Sequence, residues 1–425
     1  MNILHLNGSD IEGGAARAAY RLHQGLRTLG LNSRMLVRAK LSADQRVIQE
    51  NSLLTKLGPR MNSVPLRRYR HRPRTLFSAQ WFPDVMAARV KEMNPQIVHL
   101  HWICNGFLRL ETLAQLEVPL VWTIHDLWPM TGGCHYPNSC DRYTQACGQC
   151  PQLASSQQRD LSHRIWKRKA RVWKTLDLTL VAPSRWVADC LRASALFRNT
   201  RVEVISHGLN TDQFRPIDQA VARDLLGLPQ NRRIILFGAS SGVLNDPRKG
   251  FQFLREALEK LAQTELGKRS AVAIFGISTP DPPLDLNLPT HYLGRLSDDL
   301  TLALTYAAAD VMVVPSTQET FGQTAAEAIA CGTPVVAFNA TGLKDVVNHQ
   351  EDGYLATAFD SADLAKGIQW VLADEARYQQ LRHQARQNAL QVFTLERQAR
   401  QHTTLYADLL SSETKQNEYS RLSNL

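Results

Sequence analysis

Short apolar runs recur along this chain, each followed by a longer stretch with helical spacing. Asn2–Leu6 reads as a first strand, Ala15–Leu29 as a helix closed by Gly30, and Ser33–Val37 as the next strand. Gln96–His101, Pro119–Ile124, Leu178–Ala182 and Arg201–Ile205 are further short strands. A second series follows, with Arg233–Phe237, Ala271–Phe275, Thr290–Leu293, Val311–Val314 and Val335–Phe338. Strands alternating with helical stretches predict parallel α/β architecture. Ala376–Leu410 reads as helical, with a break near Phe393 and Thr394, and the last dozen residues read as a disordered polar tail. The loop after the first strand carries Gly8, Gly13 and Gly14, which do not match G-x-G-x-x-G, so a dinucleotide fingerprint is rejected.

At 425 residues the chain exceeds one ordinary core and predicts two domains. Its 44% hydrophobic content and mean hydropathy of -0.27 are those of a soluble protein. No apolar run approaches the roughly 18 to 20 residues of a membrane span. The opening Met1–Asn7 lacks a basic secretory n-region, so a cytoplasmic location is expected.

The net charge of +10 changes the picture, because it is concentrated. Asn51–Pro83 contains no acidic residue but includes Arg60, Arg67, Arg68, Arg70, Arg72 and Arg74. Arg164, Lys167, Arg168, Lys169, Arg171 and Lys174 share one predicted helix with Trp166 and Trp173. Such clusters suit an anionic membrane surface, a phosphorylated substrate, or simple solvation. No nucleic-acid module is visible, and no nucleic-acid partner is expected.

The densest chemistry lies in Pro315–Pro334. A polar loop with Glu319 leads into a predicted helix, Gln323–Cys331, that carries Glu327 and ends at Gly332. A helix N-terminus offers free N–H groups to a phosphate, and a nearby carboxylate can accept from ribose hydroxyls. The Pro-Ser before the two glutamates, the Phe-Gly between them and the Gly-Thr-Pro after them closely resemble the donor signature of family 4 retaining glycosyltransferases. Ser206–Pro216 resembles the same family's linker between domains, with His207 where Asn is usual.

The resemblance implies a GT-B fold, two Rossmann-like parallel-sheet domains facing a cleft. The boundaries are then 1–206, with a Cys-rich loop at 133–151, a linker at 207–217, a donor domain at 218–393, and a tail at 394–425 returning to the first domain. It implies transfer of a sugar from a nucleoside-diphosphate-sugar to a hydroxyl of a glycan or lipid-linked acceptor, with retention. The run Gly13–Ala19 and the Cys-rich loop add a likeness to bacterial exopolysaccharide and lipopolysaccharide assembly, on the inner face of the plasma membrane. By resemblance His125 faces the donor sugar, Glu319 binds that sugar, and Glu327 binds the ribose. Gly13 and Gly14 admit the donor or acceptor, Leu296 lies by the base, and Phe321, Gly322, Gln323 and Thr324 surround the diphosphate. A cation is required where the diphosphate departs; Lys249 is the candidate, with Arg248 as competitor. The family's usual Arg is missing from Phe237–Gly242. No cofactor is required for catalysis. Two alternatives are a sugar-nucleotide 2-epimerase of the same fold and a non-catalytic sugar-nucleotide-binding partner.

Cys134, Cys140, Cys147 and Cys150 are a separate constellation. Four thiols in one loop, closed by Cys-x-x-Cys, suit a structural zinc ion, with His135 as a competing ligand; free thiols or a redox pair are the other readings.

Overall fold

The structure, a computed structural model, describes residues 1–238, 244, 246–296 and 298–422, with side chains described as far as 412. The chain divides into two compact units, Met1–Ile205 with Gln398–Leu425, and Ser206–Arg397.

The strands of the first unit are β1 (Asn2–Ser9), β2 (Asn32–Ala39), β3 (Val47–Gln49), β4 (Ile97–Leu100), β5 (Leu120–Thr123), β6 (Leu178–Ala182) and β7 (Arg201–Val204). Among the described residues they form a seven-stranded parallel sheet ordered β3-β2-β1-β4-β5-β6-β7. β4, β5 and β6 are buried at every residue, as a strand covered on both faces requires. One face is covered by the helix Gly14–Thr28 and the chain end, where Leu22, Leu26, Leu405 and Tyr406 meet Ile3, Ile97, Val121 and Val181. The order reverses between β1 and β4, and such a switch point leaves a crevice at the carboxyl ends of the strands.

The second unit repeats the plan with β8 (Arg233–Gly238), β9 (Ser270–Phe275), β10 (Thr290–Tyr292), β11 (Val311–Val314), β12 (Val335–Phe338) and β13 (Gly353–Ala356). Its described strands form a six-stranded parallel sheet ordered β10-β9-β8-β11-β12-β13. Here the reversal falls between β8 and β11, so the loop carrying Glu319, which follows β11, starts at the switch point. The units are the two Rossmann-like parallel-sheet domains expected.

Two expectations need correction. The polar tail is not disordered as far as Leu422: the last helix is Leu395–Leu422, since its Glu, Lys, Gln and Arg residues are good helix formers. The basic cluster of the helix Leu161–Trp173 is not one solvated face. Arg164, Lys167, Arg171 and Lys174 are exposed, but Lys169 is wholly buried. Its ammonium donates to the carbonyls of Trp128 and Thr131, the latter at 3.0 Å, and sits 3.5 Å from the centre of the Trp128 ring. Burial pulls its pKa down to about 7. Arg168 bonds Glu111 at 2.8 Å. A helix within the acid-free stretch, Leu53–Asn62, was not anticipated; Ser52 caps it by accepting from the Thr55 amide.

Candidate functional site

In the second unit, two loops meet because one residue has no side chain. Gly250 follows the short helical turn Pro247–Lys249 with φ of 70°, and a Cβ there would lie 1.8 Å from the carbonyl oxygen of Pro315. Only glycine permits this approach. The Thr317 amide then donates to the Arg248 carbonyl at 2.8 Å. Lys249 Nζ consequently reaches Glu319 Oε1 at 2.6 Å, with both side chains about four-fifths buried. Burial raises the Glu319 pKa, but the Lys249 ammonium, helped by Arg248 and a hydrogen bond from Ser316, outweighs it and holds the carboxyl below its ordinary value. Arg248 points elsewhere in part, since its guanidinium pairs with Asp246. The expected gap in basic residues at 239–243, and Asn245, lie outside the described residues.

Glu319 is fixed from its backbone too. Its amide donates to Thr341 Oγ1 at 3.2 Å, and its carbonyl accepts from Gly342 at 2.9 Å. Beyond it, Gly322 has φ of 108° and opens the helix Gln323–Ala330. A Cβ at Gly322 would meet Leu343 at 2.6 Å. Gln323 and Thr324 form the half-buried first turn, whose amides present a partial positive charge. Phe321 lies in the core instead of facing the loop: it is 2% exposed, edge-on to His207 at 5.2 Å and Phe393 at 5.7 Å. Thus His207, the departure from the family's linker pattern, packs beneath the glutamate loop. Leu296 is half-buried and packs against the same core.

Glu327 is buried, and its Oε2 accepts from the Tyr306 hydroxyl at 2.8 Å. Sequence reasoning missed Tyr306. Its signal was a lone phenol in the very apolar helix Asp299–Ala308, a position that needs a hydrogen-bond partner when buried.

In the first unit, Gly13 is the N-cap of the helix Gly14–Thr28. His125 follows β5 at the carboxyl end of the sheet, and burial lowers its pKa to about 4, so it is neutral. Asp126 orders the next loop, accepting from the Trp128 amide at 2.9 Å, Trp102 Nε1 at 2.8 Å and His135 Nδ1 at 2.7 Å.

The other His135 nitrogen is 2.9 Å from Ser78 Oγ, so that ring has no nitrogen left for the thiols. Cys134, Cys147 and Cys150 are buried and Cys140 half-buried, with no disulfide among them. Burial pushes the Cys147 thiol up to about 12 and Cys150 up to about 11. Among the described residues, the side chains that bring three ligand atoms within 4.8 Å of one another are His5, His99 and His101; the four thiols do not.

Two family models match this chain. Glycosyltransferase Family 4 matches residues 12–213, and Glycosyl transferases group 1 matches residues 222–391. Among curated relatives, the protein named for colanic acid biosynthesis as glycosyl transferase WcaC, from Escherichia coli K12, is 25% identical over 82% of this chain and 85% of its own length. A D-inositol 3-phosphate glycosyltransferase 1 of Catenulispora acidiphila is 36% identical over 49% of this chain, which spans about half, 52%, of that relative. Among solved structures, sucrose-phosphate synthase from Thermosynechococcus elongatus matches 97% of this chain and 100% of its own at TM-score 0.68 and 22% identity. HepE of Anabaena in complex with UDP matches 96% of this chain and 100% of its own at TM-score 0.64 and 18% identity.

Proposed function

From the matches to the Glycosyltransferase Family 4 model at 12–213 and the Glycosyl transferases group 1 model at 222–391, we propose that this chain is a glycosyltransferase that transfers a sugar from a nucleoside-diphosphate-sugar to a hydroxyl, with retention. The observation that carries this reading is the Lys249–Glu319 pair, 2.6 Å apart, in the loop that leads into the helix Gln323–Ala330. In it a cation, a carboxylate and a helix N-terminus serve a diphosphate and a sugar. Glu327 takes the ribose, Glu319 the donor sugar, and Lys249 the leaving diphosphate, so no metal is required at the donor. His125 contributes a neutral imidazole toward the sugar. The acceptor is a glycan or lipid-linked saccharide of cell-surface polysaccharide synthesis, a reading supported by the likeness to WcaC. The alternatives are an epimerase and a donor-binding partner without catalysis. Melting points measured with UDP-, GDP-, ADP- and TDP-sugars test the reading, since a ligand of the folded state raises the midpoint. HepE was solved with UDP-glucose, so UDP-sugars come first. Epimer formation without transfer would favour the epimerase.

Glu327→Ala is expected to weaken donor binding by about 1.5 to 3 kcal/mol, the range for a hydrogen bond to a charged group. The substitution also leaves the buried Tyr306 hydroxyl without its acceptor, so affinity is best read well below the melting point. Tyr306→Phe keeps the carboxylate and is expected to lose less. Unchanged affinity in Glu327→Ala would sink the ribose assignment.

We place the protein in the cytoplasm, peripheral on the inner face of the plasma membrane. No described helix is long and apolar enough to cross a membrane. Support comes from the helix Leu53–Asn62, where Leu53 is 77% and Leu57 43% exposed beside Lys56 and Arg60, with Arg67, Arg68, Arg70 and Arg74 exposed just after it. Binding to anionic vesicles is expected at low salt, falling steeply as salt screens the charges. Leu53→Ser with Leu57→Ser should weaken it further, and no binding at low salt would leave the arginines as a solvated face.

The cysteine loop is read as a structural zinc site on Cys134, Cys140, Cys147 and Cys150, which offer four soft donors that an ion would draw together. About one zinc per purified chain is expected. Cys147→Ser should lower metal content and melting point together, whereas metal-free protein with an unchanged melting point supports free thiols.

A further inference from the structure

A line of buried polar side chains crosses the sheet of the first unit. Ser33 on β2, His5 on β1, His101 just after β4 and His125 just after β5 belong to four neighbouring strands. His125 Nε2 lies 3.0 Å from His101 Nδ1, His101 Nε2 lies 2.9 Å from His5 Nδ1, and His5 Nε2 lies 3.1 Å from Ser33 Oγ. Ser33 Oγ is 2.7 Å from Nδ1 of His23, which descends from the helix Gly14–Thr28. His23 Nε2 then faces Asp44 Oδ2 at 3.5 Å, an electrostatic contact longer than a hydrogen bond. His5, His23, His101 and Ser33 are all buried.

His5, His99 and His101 also satisfy the distances of a metal site. The His99 ring, however, stacks on that of His101 with centroids 4.3 Å apart, which does not aim the in-plane lone pairs of the three rings at one point. All six ring nitrogens are engaged, since His99 bonds the Tyr406 hydroxyl at 2.6 Å and Thr123 Oγ1 at 2.8 Å.

We infer that Asp44, His23, Ser33, His5 and His101 form a relay of positioning residues that fixes the tautomer of His125. A neutral imidazole has one N–H and one lone pair, and a hydroxyl has one hydrogen. In a head-to-tail line of such groups, every hydrogen must point the same way. A carboxylate can only accept, so Asp44 favours hydrogen on His23 Nε2. His23 Nδ1 then accepts from Ser33, Ser33 from His5 Nε2, His5 Nδ1 from His101 Nε2, and His101 Nδ1 from His125 Nε2. His125 is thereby held with hydrogen on Nε2 and its acceptor lone pair on Nδ1. The rings meet the condition of neutrality: burial lowers His5 and His101 well below the ordinary range and His23 to about 4. Asp44 stays ionised, because the Arg46 amide, His23 and Arg27 outweigh the upward push of burial. That this lone pair meets a sugar hydroxyl rests on the proposed function; the tautomer itself does not.

Nitrogen-15 spectra of the full chain labelled in histidine test the relay, with His125 assigned through His125→Gln. They use resting protein without donor, so their failure leaves the proposed function standing. The native protein is expected to show one His125 form, protonated at Nε2. Asp44→Asn, with four side chains between it and His125, should convert that single form into a mixture of tautomers, and Asp44→Glu should restore it. Ser33→Ala should act like Asp44→Asn; if it fails to fold, the half-buried Asp44 pair still decides. A native Nδ1–H form, a His125 spectrum indifferent to Asp44→Asn, or stoichiometric metal lost on His99→Gln would each overturn the relay.

Discussion

Lys249→Ala is expected to lower kcat by about 10²- to 10³-fold, the effect of removing one preorganised charge-stabilising group. Negative charge on the leaving diphosphate is largest as the glycosidic bond breaks, so donor affinity should fall much less than turnover. The ion pair adds a second signature. Lys249 contributes most to holding the Glu319 carboxyl below its ordinary pKa against the upward push of burial. Without the ammonium that pKa rises, so Glu319 is ionised only at higher pH. If Glu319 acts as the carboxylate, the acid limb of residual activity should move to higher pH in Lys249→Ala, and Glu319→Gln should abolish that limb. Lys249→Arg should recover part of the rate, because a planar guanidinium does not reproduce the point charge of an ammonium. Arg248 is the competitor. Its pairing with Asp246 predicts a milder turnover defect for Arg248→Ala, with a smaller shift of the limb, because Arg248 is a lesser contributor to the lowered Glu319 pKa. A severe defect there with a mild one at Lys249 would reverse the assignment.

The largest expected stability loss lies away from this chemistry, at Asp310. It is 1% exposed and precedes β11. Oδ2 accepts from Arg223 at 2.5 Å and from the Ile234 amide at 2.6 Å, while Oδ1 accepts from Arg233 at 3.0 Å and the Tyr378 hydroxyl at 3.3 Å. This carboxylate thus joins β8, β11, the helix Gln219–Leu226 and the helix Glu375–Val392. Asp310→Ala leaves the Arg223 guanidinium buried without its counterion, which costs about 3 to 5 kcal/mol. Arg223→Met in the same chain should recover part of this, because it removes the stranded charge. Denaturant unfolding followed separately for each unit is the measurement, since two units need not unfold together. A loss below about 1 kcal/mol would mean that the carbonyls of Ala308 and Gln230, which also accept from Arg223, suffice for it.

The sequence by itself determined the α/β class and most strands, because a parallel strand buried on both faces must be apolar throughout. Val311–Val314 and Val335–Phe338 needed no partner to be read. The likeness of Pro315–Pro334 to a family's donor signature singled out Glu319 and Glu327, and the need for a cation at a departing diphosphate singled out Lys249. Leu53–Asn62 was not read, since its apolar residues include Leu53 and Leu57, which face solvent and leave the pattern of a core helix incomplete. What lies opposite a side chain was decided only by tertiary structure. Lys169 stands among basic neighbours but at the spacing of the apolar face, between Ile165 and Val172, and carbonyls of residues 128–131 and the Trp128 ring enclose it. Phe321 sits in the middle of the glutamate motif, yet it packs on His207 and Phe393, more than a hundred and about seventy residues away in the chain. The histidines in or just after β1, β4 and β5 gave a partial sign, polar residues at alternate positions beside apolar ones. Their line exists only because the parallel register sets His5 opposite His99, with His101 and His125 at the strand ends beyond. Periodicity reports which way a side chain points along its own element. The partner that satisfies a buried charge or ring nitrogen comes from another element, and that pairing is fixed when the sheet assembles.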